Sequence, residues 1–234
     1  MTRCVSRCRQ LSSGPLVGSP MQFDMESLLS VVDHLVYIAP SLEQGMDRIE
    51  QLLGVRAAIG GRHAIWRTRN ALLSLGPRTY LEIMAPDEAA LDQSIVRPFG
   101  LETLKEPRLE TWAVRSTGLE DNVAVARQHG LDLGEIQSGS RQKPDGTILQ
   151  WKLTDLRTSR EDGAVPFLID WGSSPHPAGS APQGCLLRSL RVFHPDAKRV
   201  ELILKEIGIL IEVETGLPAV EATIETKSGE IVLR

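Results

Sequence analysis

Residues 31–55 read VVDHLVYIAPSLEQGMDRIEQLLGV, and this stretch sets the organisation of the whole chain. It opens on VVDHLVYIA, a β-branched and aromatic run of the kind that forms a strand. Pro40 ends the run. Ser41 is placed to cap a helix, since its hydroxyl can accept from an N–H of the first turn that has no intrahelical partner. Leu42, Met46, Ile49, Leu52 and Leu53 then recur at the spacing of one helical face. Gly54 stops the helix by taking up the left-handed conformation. Downstream, HAIWRT (63–68), NALLSLG (70–76) and YLEIMAP (80–86) are strand candidates, the last two divided by Gly76 and Pro77. The unit reads β-α-β-β-β.

The same plan recurs twice. LETWAVRS (109–116) precedes a helical stretch at 119–129, with Leu119, Val123 and Ala126 on one side and Gly130 as its stop. Strand candidates IQSGSRQ (136–142), TILQWKLTD (147–155) and VPFLIDWG (165–172) follow, with Asp145-Gly146 as a hairpin turn. Leu149, Trp151 and Leu153 alternate with Ile148, Gln150 and Lys152, as in a half-buried strand. A third unit opens on CLLRSLRVFHP (185–195). There Asp196 caps a helix over 197–207, Gly208 ends it, and ILIEVET (209–215), VEATIET (220–226) and GEIVLR (229–234) complete three strands. The expected class is α+β: repeated βαβββ modules forming a curved mixed sheet around a pocket. Residues 1–28 read as a tail, 29–180 as a domain of two modules, and 181–234 as a third, smaller module.

Composition narrows the function. The 234 residues carry a net charge of -4, with 41% hydrophobic and 24% charged residues. That balance suits a globular chain large enough to fold without staples. It argues against a basic stripe for nucleic acid, and no apolar run approaches the roughly 20 residues of a membrane helix. Cys4, Cys8 and Cys185 are an odd set and not a disulfide framework. A single C-x3-C pair does not fill a tetrahedral zinc. A reducing, cytoplasmic setting is the default. The first 23 residues, with Arg3, Arg7 and Arg9 and no acid, have the composition of an organelle transit peptide, or of a tail ahead of a start at Met21 or Met25.

Several residues could carry chemistry. Strand periodicity puts His34 on one face with Val36 and Ile38, and Glu82 on one face with Tyr80 and Met84. An imidazole and a carboxylate on inward faces could hold a divalent metal, with Zn, Fe, Ni, Mn and Mg all compatible. His63 follows Gly60-Gly61-Arg62 and could be a ligand, a general base or a substrate contact. Trp66 and Asn70 could line a pocket; Arg141 and Trp151 flank the Asp145-Gly146 hairpin as substrate-binding candidates, and Arg141 could grip an anionic group bidentately. Asp170 and His176 fall in a Pro/Gly/Ser loop after a strand, where binding residues often sit. The P-loop, dinucleotide, nucleophile-elbow and zincin motifs are absent from the sequence.

Taken in order, DHLVYIAPSLEQGMDRIEQLLGV, GGRH, NALLSLGPRTYLEIMAP, PDGTILQWKL, PFLIDWG and HPAGSAP resemble the glyoxalase-like domain of the vicinal oxygen chelate superfamily, over roughly residues 31–200. The resemblance implies paired βαβββ modules forming a cupped sheet. It further implies a metal held by a first-strand His and a last-strand Glu, which carry over to His34 and Glu82. The second unit departs from this pattern, with Thr111 or Trp112 and Ile169 or Asp170 at the corresponding places. The implied activity is that of a lyase, isomerase or dioxygenase on a vicinal-oxygen substrate. The alternative is a metal-free module that sequesters a small ligand. The expected partner is a small molecule, not nucleic acid or membrane, with homodimerisation left open.

Overall fold

β1 (Val32–Ile38) is buried along its whole length, because both faces of the strand are covered. Leu35 and Tyr37 pack toward α2 (Leu42–Leu53), while Val36 and Ile38 join a second cluster with Trp66, Trp151 and Phe167 on the other side of the sheet. A strand covered on both faces must read as a near-continuous apolar run. His34 and Asp33 are therefore polar groups set into an otherwise apolar wall. The computed structural model describes residues 25–89, 96–142, 146–158 and 161–234. Residues 1–24 of the expected tail, with Cys4 and Cys8, and the Asp145 half of the expected hairpin turn lie outside them; residues 25–28, also read as tail, open a short helix.

A short helix, α1 (Met25–Val31), leads into β1, and α2 follows. The first module is completed by β2 (Ala58–His63), β3 (Thr68–Gly76) and β4 (Thr79–Pro86). The second module is β5 (Arg108–Arg115), α3 (Leu119–Gln128), β6 (Ile136–Gln142), β7 (Ile148–Thr154) and β8 (Phe167–Asp170). All eight strands form one sheet in the order β2-β3-β4-β1-β5-β8-β7-β6. β1 runs parallel to β4 and antiparallel to β5, so the modules join along their first strands. The sheet curves until its edge strands β2 and β6 face each other. The class is α+β, with a curved, nearly closed mixed sheet.

The chain goes on through β9 (Leu186–His194), α4 (Ala197–Glu206), β10 (Val213–Thr215), β11 (Ala219–Thr226) and β12 (Gly229–Leu233). These strands form a separate sheet in the order β10-β9-β11-β12. Its buried residues, among them Leu190, Val192 and Ile224, join the core under the first sheet's helices, together with Val200 of α4. Among the described residues no helix is long and apolar enough to cross a membrane.

Local chemistry accounts for most boundaries. Ser41 Oγ accepts from Gln44 N–H at 3.3 Å, and Gly54 closes α2 at φ 71°. We predict that Ser41→Ala costs about 1 kcal/mol, read as a lower denaturation midpoint at unchanged slope. Three expectations need correcting. HAIWRT is not a strand: β2 lies earlier, at Ala58–His63, and 64–67 form the turn into β3. The β-rich look of Ile65 and Trp66 is overridden there because Arg67 takes φ 51°, which turns the chain. ILIEVET is extended only over its last three residues. Asp196 precedes α4 without capping it; its carboxylate accepts from Arg199 instead.

Candidate active site

Neighbouring residues in a regular strand point to opposite faces, yet the Asp33 and His34 side chains meet. The β1–β5 register shifts between Val32 and His34, and such a bulge re-aims a side chain. Asp33 Oδ1 lies 2.7 Å from His34 Nδ1. Asp33 is fully buried, and four groups from separate parts of the chain converge on it. Besides His34, these are Trp171 Nε1–H at 3.2 Å from both oxygens, His176 Nε2 at 3.1 Å, and the Arg115 guanidinium at 3.7 Å. His176 Nδ1 accepts from Ala178 N–H at 3.3 Å, so its Nε2 carries the proton donated to Asp33. Burial alone would raise the Asp33 carboxyl, but the hydrogen bonds and charge from His176 and His34 outweigh it and hold the group well below the usual carboxylate range.

An ionised Asp33 requires His34 Nδ1 to bear a proton, which leaves Nε2 directed at Glu82 Oε2, 3.5 Å away. Tyr80 stacks on the imidazole at 4.6 Å and Phe167 meets it edge-on at 5.2 Å, so the ring has little freedom to turn. Glu82 comes from β4, whose register beside β1 pairs Val36 with Glu82 and His34 with Tyr80. From β3, Asn70 Nδ2 donates to Glu82 Oε1, while Asn70 Oδ1 accepts from Arg141 Nη1 at 3.0 Å. A hydrogen-bonded line therefore runs from Arg141 through Asn70 to Glu82. Across a 3.5 Å gap from Glu82, His34 begins a second set of contacts that runs through Asp33 to His176.

His63 closes β2 beside this line. Its Nδ1 is 3.0 Å from Thr68 Oγ1, and its Nε2 stands 3.4 Å from Asn70 Nδ2 and 3.9 Å from Glu82 Oε1. Burial pushes the imidazole pKa down to about 4; Glu82 opposes this, and Arg141 and His34 add to it. His63 is therefore neutral at physiological pH. Burial likewise keeps the Tyr80 phenol protonated, helped by the charges of Asp33 and Glu82.

His34, His63, Asn70, Tyr80, Glu82 and Arg141 line a small cavity of about 30 Å³, above the roughly 10–15 Å³ that a single water needs. Its remaining wall is apolar and aromatic, with Trp66, Met84, Trp151, Leu153, Phe167 and Trp171. Seven residues singled out in the sequence, His34, His63, Trp66, Asn70, Glu82, Arg141 and Trp151, share this one cavity. Asp170 and His176 do not line it. They border an adjoining cleft with Arg78 and Arg115, where Asp170 accepts from Gly172 N–H at 2.8 Å. Sequence reasoning missed Asp33, Tyr80, Phe167 and Trp171. An acidic residue inside a run as apolar as VVDHLVYIA was the available signal for Asp33.

The second module offers the cavity no equivalent of His34 and Glu82. Ala113 lies opposite His34, and Phe167 and Ile169 face the cavity from β8. Thr111 is bonded to Gly163 O, and Trp112 belongs to the helix-side core with its N–H on Ala164 O. Among the described residues no group of three His, Cys, Asp or Glu side chains is arranged to hold a metal ion. The His34–Glu82 pair by itself has a suitable spacing, since two ligands each about 2.1 Å from one ion stand roughly 3.0–3.5 Å apart. Asp33 is the carboxylate partner that a ligating histidine usually keeps on its other nitrogen. The residues fit an ion held by two protein donors, with water or substrate oxygens as its other ligands.

The chain matches the glyoxalase-like domain family over residues 32–208, and it belongs to that family. The fold is that of the vicinal oxygen chelate proteins, and at this coarse level the class is one of small-molecule enzymes. A hypothetical protein from Staphylococcus aureus is similar in structure, at 14% identity and a TM-score of 0.57, with 86% of this chain and 83% of that one covered. Looser likenesses include methylmalonyl-CoA epimerase from Mycobacterium tuberculosis, at 18% identity and a TM-score of 0.39, covering 61% and 87% of the two chains. Another is a methylmalonyl-CoA epimerase in complex with methylmalonyl-CoA and NH4+, at 16%, 0.42, 63% and 98%. These structural likenesses bear on the fold alone. Comparison with curated protein sequences gave no match.

Proposed function

We propose that the cavity is the active site of a lyase or isomerase that moves a proton on a small molecule bearing vicinal oxygens. The observation that supports this most is the buried row Arg141–Asn70–Glu82–His34–Asp33, which sets a carboxylate and an oriented imidazole 3.5 Å apart beside an apolar cluster. Glu82 is the proton acceptor. His34, held by Asp33, presents Nε2 to the same point, and neutral His63 stands ready as a second base or a third ligand. Trp66 and Trp151 wall the substrate in, and Arg141 takes its anionic oxygen. A divalent metal held by His34 and Glu82 would supply Lewis-acid stabilisation of the charge that develops on those oxygens.

The test is elemental analysis of the full chain after metal loading, alongside His34→Ala and Glu82→Ala. Bound divalent metal is expected in the wild type and lost in both variants. Unchanged metal content in His34→Ala would remove His34 from the ligand set. The apolar second module, with Ala113, Phe167 and Ile169 facing the cavity, favours one other reading, a metal-free binding protein. That reading predicts ligand-induced stabilisation that a chelator leaves unaltered.

A further inference from the structure

Arg141 is 5% exposed. Its hydrogen bond goes to a neutral amide, that of Asn70. Among the described residues no carboxylate forms a salt bridge with it, although Arg56, Arg97, Arg115, Arg191 and Arg199 all have one. A buried cation without a counter-charge is costly to maintain, and a planar guanidinium matches a carboxylate through two parallel hydrogen bonds.

The backbone is shaped around this group. Arg141 reaches across the seam between the edge strands β6 and β2 to a residue of β3. Gly60 of β2 lies directly beneath it. A Cβ there would fall 2.2 Å from Arg141 Nη1 and 2.3 Å from Asn70 Oδ1. The absence of a side chain at Gly60 is what lets the guanidinium enter the cavity. The wall is also rich in donors: the indole N–H groups of Trp66 and Trp151 are buried without partners. Glu82 is the one carboxylate lining the cavity among the described residues.

We infer that Arg141, admitted by Gly60, is a carboxylate-binding subsite, and that the molecule this cavity takes is a short 2-oxo or 2-hydroxy carboxylic acid. The Asn70 amide sets the spacing, since it holds Arg141 on its oxygen and Glu82 on its nitrogen. A carboxylate on Arg141 thus places its neighbouring oxygen-bearing carbon within reach of Glu82 and His34. The apolar remainder of the wall limits the rest of the molecule to an uncharged group.

This inference rests on the proposed reading of the cavity as an active site, and the experiment separates the two. Thermal shift and calorimetry are run on the full chain with pyruvate and lactate, and with pyruvamide as the neutral analogue of the same shape. The same samples are assayed for metal. Pyruvate and lactate are expected to bind and pyruvamide to bind at least tenfold more weakly. Arg141→Gln and Gly60→Ala are each expected to lose at least tenfold in pyruvate affinity. Arg141→Lys, which keeps the charge and loses the fork, is expected to bind pyruvate several-fold more weakly. Without ligand, Arg141→Gln is expected to melt no lower than wild type, because it removes an unneutralised buried charge; a purely structural Arg141 would make it melt lower. Equal binding of pyruvate and pyruvamide, or full pyruvate affinity in Arg141→Gln, would overturn the subsite. If the acids fail to bind while the metal remains dependent on His34, the subsite falls and the active-site reading stands.

Discussion

Asp33→Asn is expected to cost roughly 3–5 kcal/mol of folding stability, the scale for breaking a buried charged network by removing one member. The carboxylate is fully buried and accepts from His34, Trp171 and His176, with Arg115 at 3.7 Å. An asparagine offers one acceptor oxygen and turns an N–H₂ group toward donors that have nowhere else to go. The loss extends to the site. Without the carboxylate, Nδ1 of His34 need no longer hold the proton, and Nε2 is no longer committed to the point it shares with Glu82. Removing such an outer partner typically weakens a metal site by about 10–100-fold. Chemical denaturation and metal titration of the variant read the two effects separately. A variant as stable as wild type, with unchanged metal affinity, would show that Asp33 supports neither the fold nor His34.

The second large effect is on pH dependence. His63 has its pKa pushed from 6.5 down to about 4 by burial. The unfolded chain therefore binds a proton at this site between pH 6.5 and pH 4 while the folded chain does not, and stability must rise with pH across that window. The contribution is fully present above about pH 6.5 and is lost as the pH falls toward 4, amounting to about 3 kcal/mol at most. Asp33 acts lower. Its folded pKa is depressed, so its contribution is complete above about pH 4 and is lost only below that. Denaturation midpoints measured from about pH 7 to about pH 4 should fall steeply in the wild type and much less in His63→Gln. Equal slopes for the two proteins would assign the acid sensitivity to another group.

Much of the cavity could be read before the structure because strand periodicity is a local property. The alternation in VVDHLVYIA and YLEIMAP put His34 and Glu82 on inward faces, and β1 and β4 keep that phase. Trp66 and Asn70 read as pocket-wall candidates and Arg141 and Trp151 as substrate contacts, and all four line the cavity. Residue type makes HAIWRT look like a strand, whereas the backbone turns over 64–67, with Arg67 at φ 51°. Asp170, at the end of β8, and His176, in the loop after it, border the neighbouring cleft. Residue type reports what a side chain could do. Where a loop carries that side chain depends on contacts distant in sequence.

The βαβββ plan, the inward phase of β1 and β4, and the identity of the histidine and carboxylate that meet in the cavity are legible in the sequence. Those features follow from side-chain spacing along a few consecutive residues, where backbone geometry leaves little choice. The tertiary structure alone decided three others. A one-residue shift in the β1–β5 register brought Asp33 onto His34. The closing of the sheet let Arg141 meet Asn70, 71 positions earlier, over a glycine. The docking of the 3₁₀ turn at Pro177–Gly179 made His176 the outer support of Asp33 rather than a wall of the cavity. Each depends on how strands far apart in the chain are registered and how tightly the sheet curls, and neither quantity is written in the pattern of any single segment.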